Sequence, residues 1–180
     1  MKKIIVIGIL GMILVSFVSA GLLGYFGKIE GSVTVEDPVF YLSTSNKLLI
    51  NNYGSPAELS SLNDNELKDW TTDENLGGLD FYDMDVNFYL RANVSSLDEI
   101  LTLTFGYLDS EETKYEICSS NVTISGSSLV NYDSISSCSG ISISDVDEFY
   151  WEFKGNCDSC EYGISEGADN FYSRVEVTAT

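Results

Sequence analysis

The side chains in this sequence that could do chemistry are carboxylates and thiols. Five aspartates stand in two tight groups, Asp80-x-x-Asp83-x-Asp85 and Asp145-x-Asp147-Glu148, and oxygen ligands so spaced suit a hard cation such as calcium. Neither group has the glycine-centred form of an EF-hand loop. The competing reading is acidic strand ends that face water and discourage edge pairing. The chain has no histidine, which removes Ser-His-Asp and Cys-His nucleophilic systems, HExxH zinc sites and imidazole-bound metals. A glycosidase needs only two carboxylates about 5–9.5 Å apart, but among 28 acidic residues some pair meets that distance by chance. No catalytic residue is assigned, a non-enzymatic protein is expected, and calcium is the one cofactor for which the chain offers ligands.

The four cysteines are Cys118, Cys138, Cys157 and Cys160. An even count suits two disulfides in an exported chain, with three connectivities open. Spacing favours Cys118 with Cys138 and Cys157 with Cys160. A four-thiolate zinc site is the rival, but it usually has two close pairs, and Cys118 and Cys138 are far apart. Two sequons, Asn93-Val94-Ser95 and Asn121-Val122-Thr123, make Asn93 and Asn121 glycosylation candidates, both on strand faces that read as polar.

These groups need a compartment and elements to hold them. Lys2 and Lys3 precede an uncharged apolar run, Ile4 to Val18, which is the build of a secretory signal. Small residues at Val18-Ser19-Ala20 permit a cut after Ala20. The apolar character nevertheless continues to Phe26, long enough to span a hydrocarbon core of roughly 30 Å as an uncleaved anchor helix. Either way the rest of the chain lies outside the membrane, with the lysines inside. The net charge of −19 repels nucleic acid and anionic headgroups and favours solubility or cationic partners.

The run Gly21-Leu22-Leu23-Gly24-Tyr25-Phe26, followed by Gly31-Ser32-Val33-Thr34-Val35, resembles the N-terminus of the TasA/camelysin family of surface and biofilm-matrix proteins. Gly27-Lys28 stands where that family usually has Ser-Asp. The resemblance implies a leader cut near Gly24, a jelly-roll-like β-sandwich, and fibres built by lending the N-terminal strand to the next subunit. Camelysin-type members have been described as proteases, but a chain without histidine cannot carry a conventional zinc-protease site.

Past the leader the sequence reads as strands nearly throughout. Val39 to Ser43 and Lys47 to Asn51 form a hairpin, and a long polar stretch to Gly78 is expected to hold at least one short strand, near Leu67 to Thr71 with Trp70 as anchor, or to be a functional surface loop. Asp83 to Val94 alternates without a break, apolar from Met84 to Val94 on one face and polar on the other, which signals a strand with one wet face. Leu101 to Phe105, Thr113 to Cys118, Asn121 to Ile124, Ile141 to Ile143, Glu148 to Lys154, Glu161 to Ile164 and Phe171 to Thr178 repeat the pattern. Tyr89, Tyr150 and Tyr172 fall on the polar faces, where they either cover the sheet or form an exposed stripe. The expected fold is all-β, an antiparallel sandwich of jelly-roll or Ig-like type, with residues 1–24 as signal or anchor and 25–180 as one domain. The expected role is an extracellular or cell-surface structural protein that self-associates through its N-terminal strand. The alternative is a membrane-anchored module that binds glycans or a cell-surface partner.

Overall fold

A computed structural model describes residues 37–43, 46–51, 59–63, 66–73, 76–133, 135, 137–165 and 171–179. They form strands and connections, with no helix among them. The strands are β1 (Val39–Leu42), β2 (Lys47–Ile50), β3 (Leu59–Asn63), β4 (Leu67–Thr72), β5 (Leu79–Val94), β6 (Glu99–Leu108), β7 (Lys114–Ile124), β8 (Val130–Tyr132), β9 (Ser137–Val146), β10 (Glu148–Gly155), β11 (Glu161–Ser165) and β12 (Arg174–Ala179). The leader, the candidate cuts at Ala20 and Gly24, and the Gly31–Val35 strand lie outside the described residues. Val39–Thr180 is one compact unit, and no described helix is long and apolar enough to cross a membrane.

The longest alternating run in the sequence becomes the longest strand. In β5 the side chains of Met84, Val86, Phe88, Leu90, Ala92 and Val94 are all buried, while the residues between them keep partial access to water. Burying a side chain the size of Phe88 or Leu90 contributes about 1.5–3 kcal/mol, so a slip of one residue, which would turn all six outward, is strongly disfavoured. This strand is also the hub of the sheet. One flank pairs with β12 over Met84–Tyr89 and with β11 over Arg91–Val94. The other pairs with β9 between Leu79 and Asn87 and with β8 over Leu90–Ala92.

From β12 the ladder continues through β1, β2, β4, β10 and β6 to β7, and from β11 it continues to β3. Every pairing is antiparallel except β2 with β4, where Lys47 and Leu48 run parallel to Thr71 and Thr72. The sheet is therefore mixed, where the alternation predicts purely antiparallel pairing. The physical reason is the crossover: the chain between β2 and β4 leaves to form β3 on the other ladder, and a connection of that length permits a parallel return.

Aromatic side chains from strands far apart in the ladder meet inside. Phe88 of β5 lies 6.0 Å from Trp151 of β10, Phe81 lies 5.4 Å from Phe149, and Phe40 of β1 lies 5.0 Å from Phe149 and 5.3 Å from Phe105. Strands β5 and β10 share no backbone hydrogen bonds, so these contacts require the sheet to curl until its two halves face each other. The apolar stripes of both halves are thereby removed from water together.

Some segments depart from the alternation. The expected strands Thr113–Cys118 and Asn121–Ile124 join into one strand, β7, which begins at Lys114, and the Ser-rich segment contributes β8 and the start of β9. The polar stretch before Gly78 holds two strands, β3 and β4. The pairing of β5 with β9 shifts register three times, and Asp83, Gly140 and Asp145 take left-handed backbone conformations there, as residues at bulges do. This bulged pairing starts β5 four residues before Asp83. At the β6–β7 turn the Asp109 carboxylate accepts the N–H groups of Glu111 and Thr113, each at 2.9 Å. The Thr113 bond leads in holding its pKa below the ordinary carboxylate value.

Candidate functional site

The bulges in the β5–β9 pairing place the five aspartates. The backbone N–H of Asp145 donates to Asp80 Oδ1 at 3.2 Å, and Ser110 Oγ lies 3.4 Å from Asp145 Oδ2. Asp85 Oδ1 accepts the Gly140 N–H and Asp147 Oδ1 the Gly78 N–H, each at 3.1 Å. The structure thus brings Asp80 and Asp145 together and sends Asp85 and Asp147 to other donors, while the Asp83 N–H lies 3.4 Å from Ser142 Oγ. Among the described residues no three acidic or thiol side chains gather into a cation-sized group. Bulging leaves backbone N–H groups without ladder partners, and these carboxylates supply acceptors for several of them.

The cysteines pair as their spacing suggests. Cys118 and Cys138 are bonded with Cα atoms 5.9 Å apart, and Cys157 and Cys160 with Cα atoms 5.7 Å apart. Cys118 lies on β7 and Cys138 on β9, the two ends of the longer ladder. One covalent link therefore joins the rims of the curled sheet, where no backbone ladder joins them. Two such pairs suit an oxidising compartment.

The two sequons stand in opposite surroundings. Asn93 borders a cleft of about 310 Å³ lined by Ser61, Ser95, Ser127, Glu161, Tyr162 and Gly163 among others. Its Nδ2 donates to the Ser127 carbonyl at 3.0 Å, and its amide lies where a Cβ on Gly163 would fall. The hydroxyl of Ser95 accepts the Glu161 N–H at 2.8 Å. Asn121 is exposed on β7; its Oδ1 accepts from Thr102 Oγ1 at 2.7 Å, and Thr102 Oγ1 in turn accepts from Asn156 Nδ2 at 2.6 Å. The cleft has no signature in the sequence, because β3, β5 and β11 and the loop at Ser127 meet only through long-range pairing.

The tyrosines do not form a stripe. Tyr150 is 4% exposed; its hydroxyl lies 3.3 Å from the Tyr115 carbonyl, and the Lys114 ammonium sits 4.8 Å above its ring. Burial, followed by the negative charge of Glu152, pushes its pKa up. Tyr89 and Tyr172 are half-buried. The Arg174 guanidinium covers the Tyr89 ring at 3.9 Å while its Nε bonds Glu176 at 2.7 Å, and Tyr172 packs edge-on against Tyr41. Burial and then the Glu176 charge raise the pKa of Tyr89.

No family model matches the sequence, and no curated protein is similar to it. Solved structures are similar in fold. An aminopeptidase from a marine sediment archaeon, Thaumarchaeota archaeon, matches with a TM-score of 0.61 at 8% identity, over 81% of this chain and 37% of that one. A CocE/NonD family hydrolase from Staphylococcus aureus matches with a TM-score of 0.60 at 10% identity, over 87% of this chain and 40% of that one. The chain thus spans about two fifths of the structures it matches. At such identities the likeness is one of fold, an all-β body that recurs as part of larger proteins.

Proposed function

We propose that this chain is a non-enzymatic extracellular structural protein, a β-sandwich of jelly-roll type that assembles by lending the strand before Val39 to a neighbouring subunit. The observation that carries the reading is the position of β1. It pairs with β12 on one side and β2 on the other, so both edges of β1 are taken, and a strand formed before Val39 has no place beside it. Such a strand can add to the edge of another subunit's sheet by main-chain hydrogen bonds. The rings that meet across the curled sheet support the sandwich, and the two disulfides suit export. Calcium enters this reading through Asp80 and Asp145, where the Asp145 N–H donates to the Asp80 carboxylate.

The alternative, an anchored module binding glycans or a cell-surface partner, draws on the half-buried Tyr41 and Tyr172. It is the weaker reading, since Tyr150 is buried and Arg174 occupies the face of Tyr89. Electron microscopy and sedimentation of the exported chain, with and without residues 21–36, separate the two. The reading expects filaments from the longer form and monomers from the shorter; monomers from both at high concentration refute assembly.

A further inference from the structure

The two sequons differ at each atom that N-glycosylation uses. At Asn93 the acceptor nitrogen is engaged with the Ser127 carbonyl, the third-position hydroxyl with the Glu161 N–H, and the amide is pressed against Gly163. A sugar on Nδ2 would crowd the first bond and enter the cleft between β3, β5 and β11. At Asn121 the relay from Asn156 through Thr102 fixes Oδ1 as the bonded atom. Nδ2 and the hydroxyl of Thr123 form no hydrogen bond among the described residues, and both residues are exposed. Val122 between them is buried, as strand alternation requires, so the two flanking side chains share the outer face.

We infer that Asn121 is an N-glycosylation site and that Asn93 is a structural asparagine whose amide lines the cleft and ties β5 to the Ser127 loop. In the transfer, Asn121 Nδ2 forms a bond to the anomeric carbon of a saccharide carried on a lipid phosphate or pyrophosphate. The bond from that carbon to the donor's phosphate oxygen breaks, the lipid phosphate leaves, and Nδ2 gives up one of its two protons. The glycan then stands over the outer face of β6 and β7 beside Thr102 and Asn156, where it disturbs no buried contact.

The inference rests on the exported reading, and one experiment separates the two. The full-length chain is recovered from the organism that encodes it, and its intact mass, thiol content and peptide masses are measured. The expected result is two disulfides, a saccharide mass on the peptide holding Asn121 and none on that holding Asn93. Asn121→Gln and Thr123→Val, which leaves the asparagine in place, should each abolish the added mass. An exported, oxidised chain with bare Asn121, or with sugar on Asn93, overturns the assignment. A chain retained in the cytoplasm with four free thiols overturns export, and the assignment with it.

Discussion

Removing the two disulfides separately should cost unequal amounts, and the inequality follows from where they sit. In the chain-entropy view, a crosslink restricts the unfolded ensemble more as the loop it closes grows. Cys118–Cys138 closes a separation of 20 residues and Cys157–Cys160 one of 3. The corresponding losses are about 3.3 and about 1.6 kcal/mol at 25 °C. With an unfolding entropy of about 2.1 cal/mol/K per residue over a body of about 140 residues, these become drops in Tm of about 11 °C and about 5 °C. Alanine is the replacement of choice, because Cys118 and Cys160 are buried and a serine hydroxyl there would need a partner. Calorimetry on the oxidised protein, on Cys118→Ala/Cys138→Ala and on Cys157→Ala/Cys160→Ala measures both. Equal losses, or a larger loss at the short loop, would refute the reasoning. So would a loss below about 1 kcal/mol at the long loop, which would mean that the unfolded chain keeps β7 and β9 together without the bond.

Two further substitutions test the packing and the charges. A Cβ added at Gly106 would fall 2.5 Å from the Tyr150 ring and against the Tyr115 carbonyl; Gly106→Ala should therefore destabilise by about 1–3 kcal/mol, and an unchanged denaturation midpoint would show that the close approach is not real. Lys114 loses some hydration on burial, but its bonds to Asp69 at 2.7 Å and Glu152 at 3.3 Å outweigh this and raise its pKa above the ordinary 10.5. Its stabilisation, about 0.2–1 kcal/mol for so exposed a pair, is fully present below about pH 10.5 and lost as pH rises through the folded value. The Tm difference between the parent and Lys114→Met should hold steady from neutral pH to about 10 and close above that; a difference that grows in alkali contradicts the ion pair.

What could be read from the sequence was local. The six buried residues of β5 announce themselves through period-two alternation, and the β1–β2 hairpin through its short turn, because both depend on near neighbours in the chain. Tyr150 shows the limit. Alternation assigns it correctly to the face opposite Phe149, Trp151 and Phe153, yet it is buried, because Lys114 reaches over it from β7 and Gly106 on β6 leaves room for its ring. Those residues come from other strands, and their proximity is set by ladder order. The same holds for the parallel β2–β4 pair and for the cleft at Asn93. The cysteine pairing was suggested by spacing, whereas its consequence, a bond between the two rims of the sheet, depends on β7 and β9 ending the ladder.

The treatment of those rims bears on assembly. A long, regular edge invites pairing with any other edge. In its pairing with β5, strand β9 carries the extra residue at two of three register shifts and has two left-handed residues, Gly140 and Asp145, so its edge is bent. The edge of β7 is tied to β9 through Cys118, while β8 has three residues and β3 five. Among the described residues each edge is thus short, bent or crosslinked, which disfavours chance edge-to-edge contact between folded bodies. The proposed assembly then draws on a strand from outside the described ladder, and on that proposal the segment before Val39 supplies it. Under the proposed assembly the guarded edges and the donated strand act together, so that subunits join through the N-terminal segment or stay apart.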